Sequence, residues 1–294
     1  MRPLPSLLTI TCAALLLLCV TAPVVTAQST SEDASILVEY EWRHEHATWH
    51  FANDSSFNTD VLVPHTYEQQ YASSGHWLTA AARYAVSGTA MDTTVSFTPG
   101  RTIGASDIDT FFNPDGDVIR YGTDGQAGWH AWRIEHLVTG RIHSLQLRAG
   151  YRYRRDWHTF YPADIFTIHT NPPSTSLTPT TDREFTTTDL HQLPIRATLT
   201  RAATPSWQSE ITAEYTPFIW ARLTTELPDK YRDAITSDAK GFGAGAEIRF
   251  VRRYGVPLVL GATASRSWSY ASSRNVSNTE VGVMAGVEFV LHKK

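Results

Sequence analysis

Cysteine is nearly missing from this 294-residue chain: there are two, Cys12 and Cys19, both near the N-terminus. Once the leader is set aside no thiol remains, which excludes disulfides, thiolate metal sites and thiol nucleophiles. Charge is sparse too, at 18% Asp, Glu, Lys and Arg, against roughly 25% in soluble domains. The formal net charge of -4 argues against a nucleic-acid partner. After residue 27 no apolar run approaches the ~20 residues of a membrane helix, so a helical bundle in lipid is excluded. What is present is 11% aromatic residues, much Thr and Ser, and apolar residues spread thinly. That composition suits a β-barrel facing lipid.

Arg2 precedes an apolar stretch from Leu7 to Val20, and Val25-Thr26-Ala27 offers the small residues of a processing site. Residues 1–27 therefore read as a secretory signal, leaving 28–294 as one exported domain. A lipid anchor at Cys19 is disfavoured because Leu18 stands where a small residue belongs.

A barrel wall in lipid places apolar side chains on one face of every strand and leaves the other face polar. From Leu145 the odd positions read Leu145, Leu147, Ala149, Tyr151 and Tyr153, against Gln146, Arg148, Gly150, Arg152 and Arg154. The same alternation recurs at Ile36 to Trp42, Leu78 to Tyr84, Leu193 to Leu199, Ile211 to Ile219, Phe242 to Phe250, Leu258 to Ala264 and Val281 to Phe289, and more weakly near Val95 and Trp132. Ten strands follow. Short turns such as Ser87-Gly88-Thr89 alternate with long polar stretches, about 51–75, 101–127, 162–190, 222–239 and 271–278. Those stretches read as extracellular loops. The reading is an all-β fold: a closed, ten-stranded antiparallel transmembrane β-barrel in the bacterial outer membrane, with both termini periplasmic. Glu39, Glu41, Arg43, Arg148, Arg152, Arg154, Glu210, Glu214, Glu247 and Arg249 take the inward parity and predict internal ion pairs. Trp42, Trp77, Trp129, Trp132, Trp207, Trp220, Trp268 and Tyr270 read as interfacial anchors.

Three segments carry a family resemblance: Gly100-Arg101-Thr102-Ile103-Gly104-Ala105-Ser106-Asp107-Ile108-Asp109, then Leu147 to Arg155, then Leu193-Pro194 through Tyr215 to Trp220 and Tyr231. In this order they resemble the omptins, surface endopeptidases built on a ten-stranded barrel that projects above the outer membrane. The resemblance implies a polar extracellular cleft in which two aspartates face an Asp-His pair and hold a water. Asp107 and Asp109 match the first pair and are the candidate catalytic residues. Where the family has Asp-x-His before a tyrosine, this chain reads Asp229-Lys230-Tyr231, with Lys230 in the place of the histidine. A lysine ammonium cannot take a proton from water near neutral pH. The resemblance therefore implies a catalytically impaired barrel. The alternative is an active endopeptidase on an extracellular peptide, with Glu226 or Asp229 as substitute base. A second alternative is a small channel or a structural barrel.

The family also binds lipopolysaccharide on its outer wall, and Tyr151 and Arg155 occupy matching positions, whereas Leu190 replaces a second arginine. The partners implied are outer-membrane lipid, lipopolysaccharide and a peptide substrate, on a monomer. No cofactor or metal is expected: His44, His46 and His50 share a strand but converge with no clear acidic ligand set, and the other histidines read as loop positions.

Overall fold

The alternation becomes strands whose two faces differ as lipid and lumen require. The computed structural model describes residues 34–55, 61–142, 144–160, 164–179, 184–226, 234–252, 254, 257–271 and 274–291. The expected leader at 1–27 lies outside them, as does the 227–233 segment that contains Asp229 and Lys230. The strands are β1 (Ala34–Ser55), β2 (Val63–Val86), β3 (Thr89–Phe112), β4 (Val118–Ile142), β5 (Leu145–Phe160), β6 (Asp164–Thr170), β7 (Pro173–Pro179), β8 (Glu184–Gln192), β9 (Ile195–Ala202), β10 (Trp207–Glu226), β11 (Ile235–Arg252), β12 (Leu258–Ala271) and β13 (Arg274–Leu291). Antiparallel ladders run β1 to β5, on through β8 and β9 to β10, then to β13 and back to β1. β8 and β9 are one wall strand interrupted at Pro194, which has no N–H to donate. Gly150 N–H donates to the Pro194 carbonyl at 3.2 Å, which keeps the seam joined. The ring thus has ten strands. Closure removes every edge, so the wall strands pair on both sides without water, with irregularities between Ala72 and Leu78, Thr98 and Arg101, and Thr216 and Ile219.

On β1 the outward Ile36, Val38, Tyr40 and Trp42 are exposed, while Glu39, Glu41, Arg43 and Glu45 between them are buried. Outward apolar residues continue around the wall through Leu78, Phe97, Ile134, Ile195, Ile211, Phe250, Leu260 and Val283, marking the band that lipid covers. Above Trp42 the outward face of β1 turns to His44, His46, Thr48 and His50. A wall with that chemistry stands in water, so the barrel projects from the membrane. The stretches expected as loops are largely this projection: β1 runs to Ser55, β3 to Phe112 and β4 begins at Val118. Polarity on the outward face concealed them, because strands above lipid need no apolar side.

Inside the membrane band the lumen is filled by ion pairs. Arg152 meets Glu135 and Glu214, each at 2.6 Å, and Arg196 meets the same two at 2.8 and 2.7 Å. Arg249 lies 3.3 Å from Glu39 and 2.7 Å from Glu247. Higher up, Arg43 joins Glu41 and Glu280 at 2.6 and 3.0 Å, and Arg154 joins Asp156, Glu280 and Glu45. A cavity of about 130 Å³ remains among the lower pairs. Trp77 and Trp129 are not interfacial anchors: they are 0% and 2% exposed and face the lumen. The guanidiniums of Arg43 and Arg154 lie 4.8 and 5.2 Å from the Trp77 ring, and Trp129 Nε1 donates to Asp156 at 3.0 Å. Together they form a floor beneath the extracellular cup.

The 162–190 stretch supplies a further hairpin, β6 and β7, joined to the top of β4 between Ile119 and Gly122. Asp117 fastens it, accepting from the backbone N–H groups of Thr170 and Asn171 at 2.9 Å and lying 2.8 Å from His169 Nδ1. The His169 hydrogen bond, then these backbone donors, hold the Asp117 carboxyl down to about 2. A folded-state value below the ordinary one stabilises the hairpin above the usual carboxylate range and ceases to do so as pH falls through it. Hydrogen-exchange protection of β6 and β7, corrected for intrinsic rates, is expected to fall from about pH 4 toward about 2. Asp117→Ala is expected to remove it already at neutral pH.

Candidate functional site

Asp107 and Asp109 fall in the 101–127 stretch expected as a loop, which is strand here. They lie within β3, opposite Gln69 and Tyr67 of β2 on one side and Thr123 and Tyr121 of β4 on the other. Period 2 turns both carboxylates inward, above the tryptophan floor. Gly122 allows this: a Cβ there would stand 2.0 Å from the Asp107 carbonyl oxygen, so β4 approaches β3 as closely as only glycine permits. Gly122→Ala is expected to displace Asp107 and to lower any activity that depends on it, with far-ultraviolet circular dichroism unchanged.

The inward parity of β2 brings His65, Tyr67, Gln69 and Tyr71 to the same space. His65 Nε2 lies 2.6 Å from Asp109 Oδ1, and its Nδ1 lies 2.7 Å from Asn53 Oδ1. The imidazole stacks on Phe111 with ring centres 4.6 Å apart. A histidine held by an aspartate and backed by an aromatic ring has a fixed orientation, which a general base requires. Glu226 ends β10, and the part of the expected Asp-His counterpart that includes Lys230 lies outside the described residues.

Across the lumen, β8 contributes Glu184. Its Oε1 accepts from Gln69 Nε2 at 2.8 Å and from Thr186 Oγ1 at 3.0 Å. Tyr67 donates to Asp107 Oδ2 at 3.3 Å. Gln69 links the two carboxyls: it stands opposite Asp107 in the β2–β3 ladder and donates to Glu184, which brings Glu184 close enough to act on Asp107. Burial first, then the Glu184 carboxyl and Asp109, push the Asp107 carboxyl well above the usual range. Burial and the same carboxylates push Tyr67 and Tyr71 up as well. Beneath, the Tyr71 ring stacks on His158 at 3.7 Å, and burial lowers the His158 imidazole to about 4, so it is neutral near pH 7. Of these groups only Asp107 and Asp109 stand out in the sequence. His65, Tyr67, Gln69 and Glu184 fall in stretches that read as loops, although the odd positions of β2 carry the signal once 63–76 is read as strand.

On the outer wall Tyr151 and Arg155 both face outward, as expected. Arg155 Nε lies 3.0 Å from Asp189, and Tyr153 also donates to Asp189. Arg155 stands 5.4 Å over the Trp157 ring, and His191 stacks on Trp220 at 4.8 Å. Leu190 faces the other way, packing inward beside Trp49, Ala221 and Val276. The outward neighbour at this level is Asp189, one residue along the strand. Among the described residues no group of three or more histidines and carboxylates converges as a metal site.

No family model and no curated protein matches the chain. Among solved structures it is similar to the outer membrane protease OmpT of Escherichia coli, with a TM-score of 0.61 and 11% identity over 89% of this chain and 98% of that one. The β domain of the Bordetella autotransporter BrkA gives 0.40 and 12% over 86% and 99%. The translocator domain of NalP from Neisseria meningitidis gives 0.31 and 9% over 94% and 96%. At such identities the likeness to OmpT is one of fold, that of an outer-membrane β-barrel.

Proposed function

We propose that this protein is a surface hydrolase of the outer membrane, acting on peptide bonds in its extracellular cup. The observation that carries the reading is the 2.6 Å contact between His65 Nε2 and Asp109. It supplies an oriented imidazole where the omptin resemblance implies a site without one. With Nε2 turned to Asp109, His65 takes a proton from a water at Nδ1, which the water reaches by displacing Asn53 Oδ1, and Asp107 lies one inward position along β3 to orient the attacking oxygen. Activity is then expected, in place of the impairment that Lys230 implies. Refolded protein in lipopolysaccharide-containing vesicles is expected to cleave quenched fluorescent peptides, and Asp107→Ala and Asp109→Ala to lose that cleavage.

The described residues of the lumen speak against the channel reading. Ion pairs and the Trp77–Trp129 floor cross it, and planar-bilayer recordings are expected to show no stepped conductance.

Lipopolysaccharide binding at Tyr151 and Arg155 is part of the same proposal. A guanidinium at the interface can hold a lipid phosphate through paired N–H groups. Here a phosphate competes with Asp189 for Arg155. Asp189→Asn is therefore expected to tighten lipopolysaccharide binding several-fold and Arg155→Ala to weaken it, as read by titration of the detergent-folded barrel.

A further inference from the structure

The carboxyl groups of Asp107 and Glu184 approach one another across the cup from β3 and β8 on either side of Gln69, which stands opposite Asp107 and donates to Glu184, and no arginine or lysine among the described residues pairs with either. The groups facing Asp107 are Tyr67 and Tyr71 from β2, Asp109 on its own strand and Glu184 from β8. Asp156 and His158 of β5 lie beneath Tyr71. All are acidic or neutral. Two adjoining carboxyls in such a place cannot both be ionised, and the stable arrangement is one proton between them. The remaining lone pairs are not idle: Gln69 and Thr186 donate to Glu184 Oε1, and Tyr67 donates to Asp107 Oδ2. Those three donors fix both groups while leaving the shared proton the one mobile hydrogen of the pair.

We infer that Glu184 is a second reactive carboxyl of the site, sharing with Asp107 the proton that is delivered to the leaving nitrogen. The inference rests on the hydrolase reading above. The step balances without a co-reactant. His65 removes a proton from water as the oxygen bonds to the peptide carbonyl carbon. The tetrahedral intermediate then collapses, the C–N bond breaks, and its electron pair goes to nitrogen, which takes the proton held between Asp107 and Glu184. The products are a carboxylic acid and an amine, and the proton on His65 returns through solvent to the carboxyl pair. Burial keeps Asp107 protonated above the range in which an exposed aspartate ionises, so the acid remains available toward neutral pH.

The test compares two leaving groups on one peptide, an amide and a p-nitrophenyl ester, whose phenolate departs without a proton. Glu184→Gln is expected to lower kcat/KM on the amide roughly 100-fold and on the ester less than about threefold, whereas His65→Ala lowers both. The infrared difference between wild type and Glu184→Gln at neutral pH is expected to show the protonated-carboxyl band of the wild type, lost or shifted in the variant, where Asp107 has no carboxyl to share its proton with. Equal losses on amide and ester, or no protonated carboxyl in that difference, would overturn the role of Glu184 while leaving the hydrolase reading in place. A wild type that turns over neither substrate would overturn both.

Discussion

Replacing His65 with alanine is expected to remove peptide hydrolysis, by roughly 100-fold or more, while the barrel folds as before. General-base assistance of this kind is worth about 10²–10⁴ in rate. His65 lies on β2 with its Nε2 against Asp109 and its ring against Phe111, so truncation empties one position at the rim and breaks no wall hydrogen bond. His65→Gln retains a polar side chain of similar reach and lacks a base, and it is expected to fall as far. Rate loss in both variants, with unchanged electrophoretic mobility of the folded form, identifies a chemical role. A loss in the alanine variant alone would point to packing against Phe111.

The second large effect concerns stability. Arg152 bridges Glu135 and Glu214 inside the membrane band, with side-chain exposures of 12%, 5% and 13% for the three residues. Arg152→Met leaves two buried carboxylates sharing Arg196 alone. Breaking a buried pair by removing one partner costs about 3–5 kcal/mol, because the remaining charge stays desolvated. Urea unfolding from vesicles is expected to show a loss in that range. The double variant Arg152→Met, Glu214→Leu is expected to recover a substantial part of it, since a pair removed together leaves less charge uncompensated. Additive losses would show that water enters the lower lumen freely.

How far the sequence discloses this molecule depends on which side of the lipid surface is read. Within the membrane each strand must be apolar outside and can be charged inside, so Leu145 to Arg154 declares its strand and its two faces, but not that Arg152 meets Glu135 as well as Glu214. Above the membrane both faces are wet or carry small and aromatic residues, and the alternation fades. Residues 63–76 and 101–112 then resemble loops although they are strands. Trp77 and Trp129 mislead for a related reason: an aromatic residue near a strand end suits an interface, but register alone decides that these two point into the lumen.

The site repeats the lesson. Asp107 and Asp109 are legible as a local Asp-x-Asp pair. The contacts that give them chemistry cross from β2 and β8, bringing together His65 with Asp109 and Asp107 with Glu184. Nothing local in the chain announces pairs that distant. They exist because the β2–β3 ladder sets Gln69 opposite Asp107, and because closure of the ring brings β8 within reach across the cup.

Mass spectrometry of a peptide library incubated with the folded barrel in vesicles tests the central claim most directly, since it reads new termini without assuming a cleavage site. The site described here predicts a defined set of cleaved peptides with wild type and none with Asp107→Ala or His65→Ala. Intact peptides with the wild type, or the same cleavages from all three proteins, would contradict it.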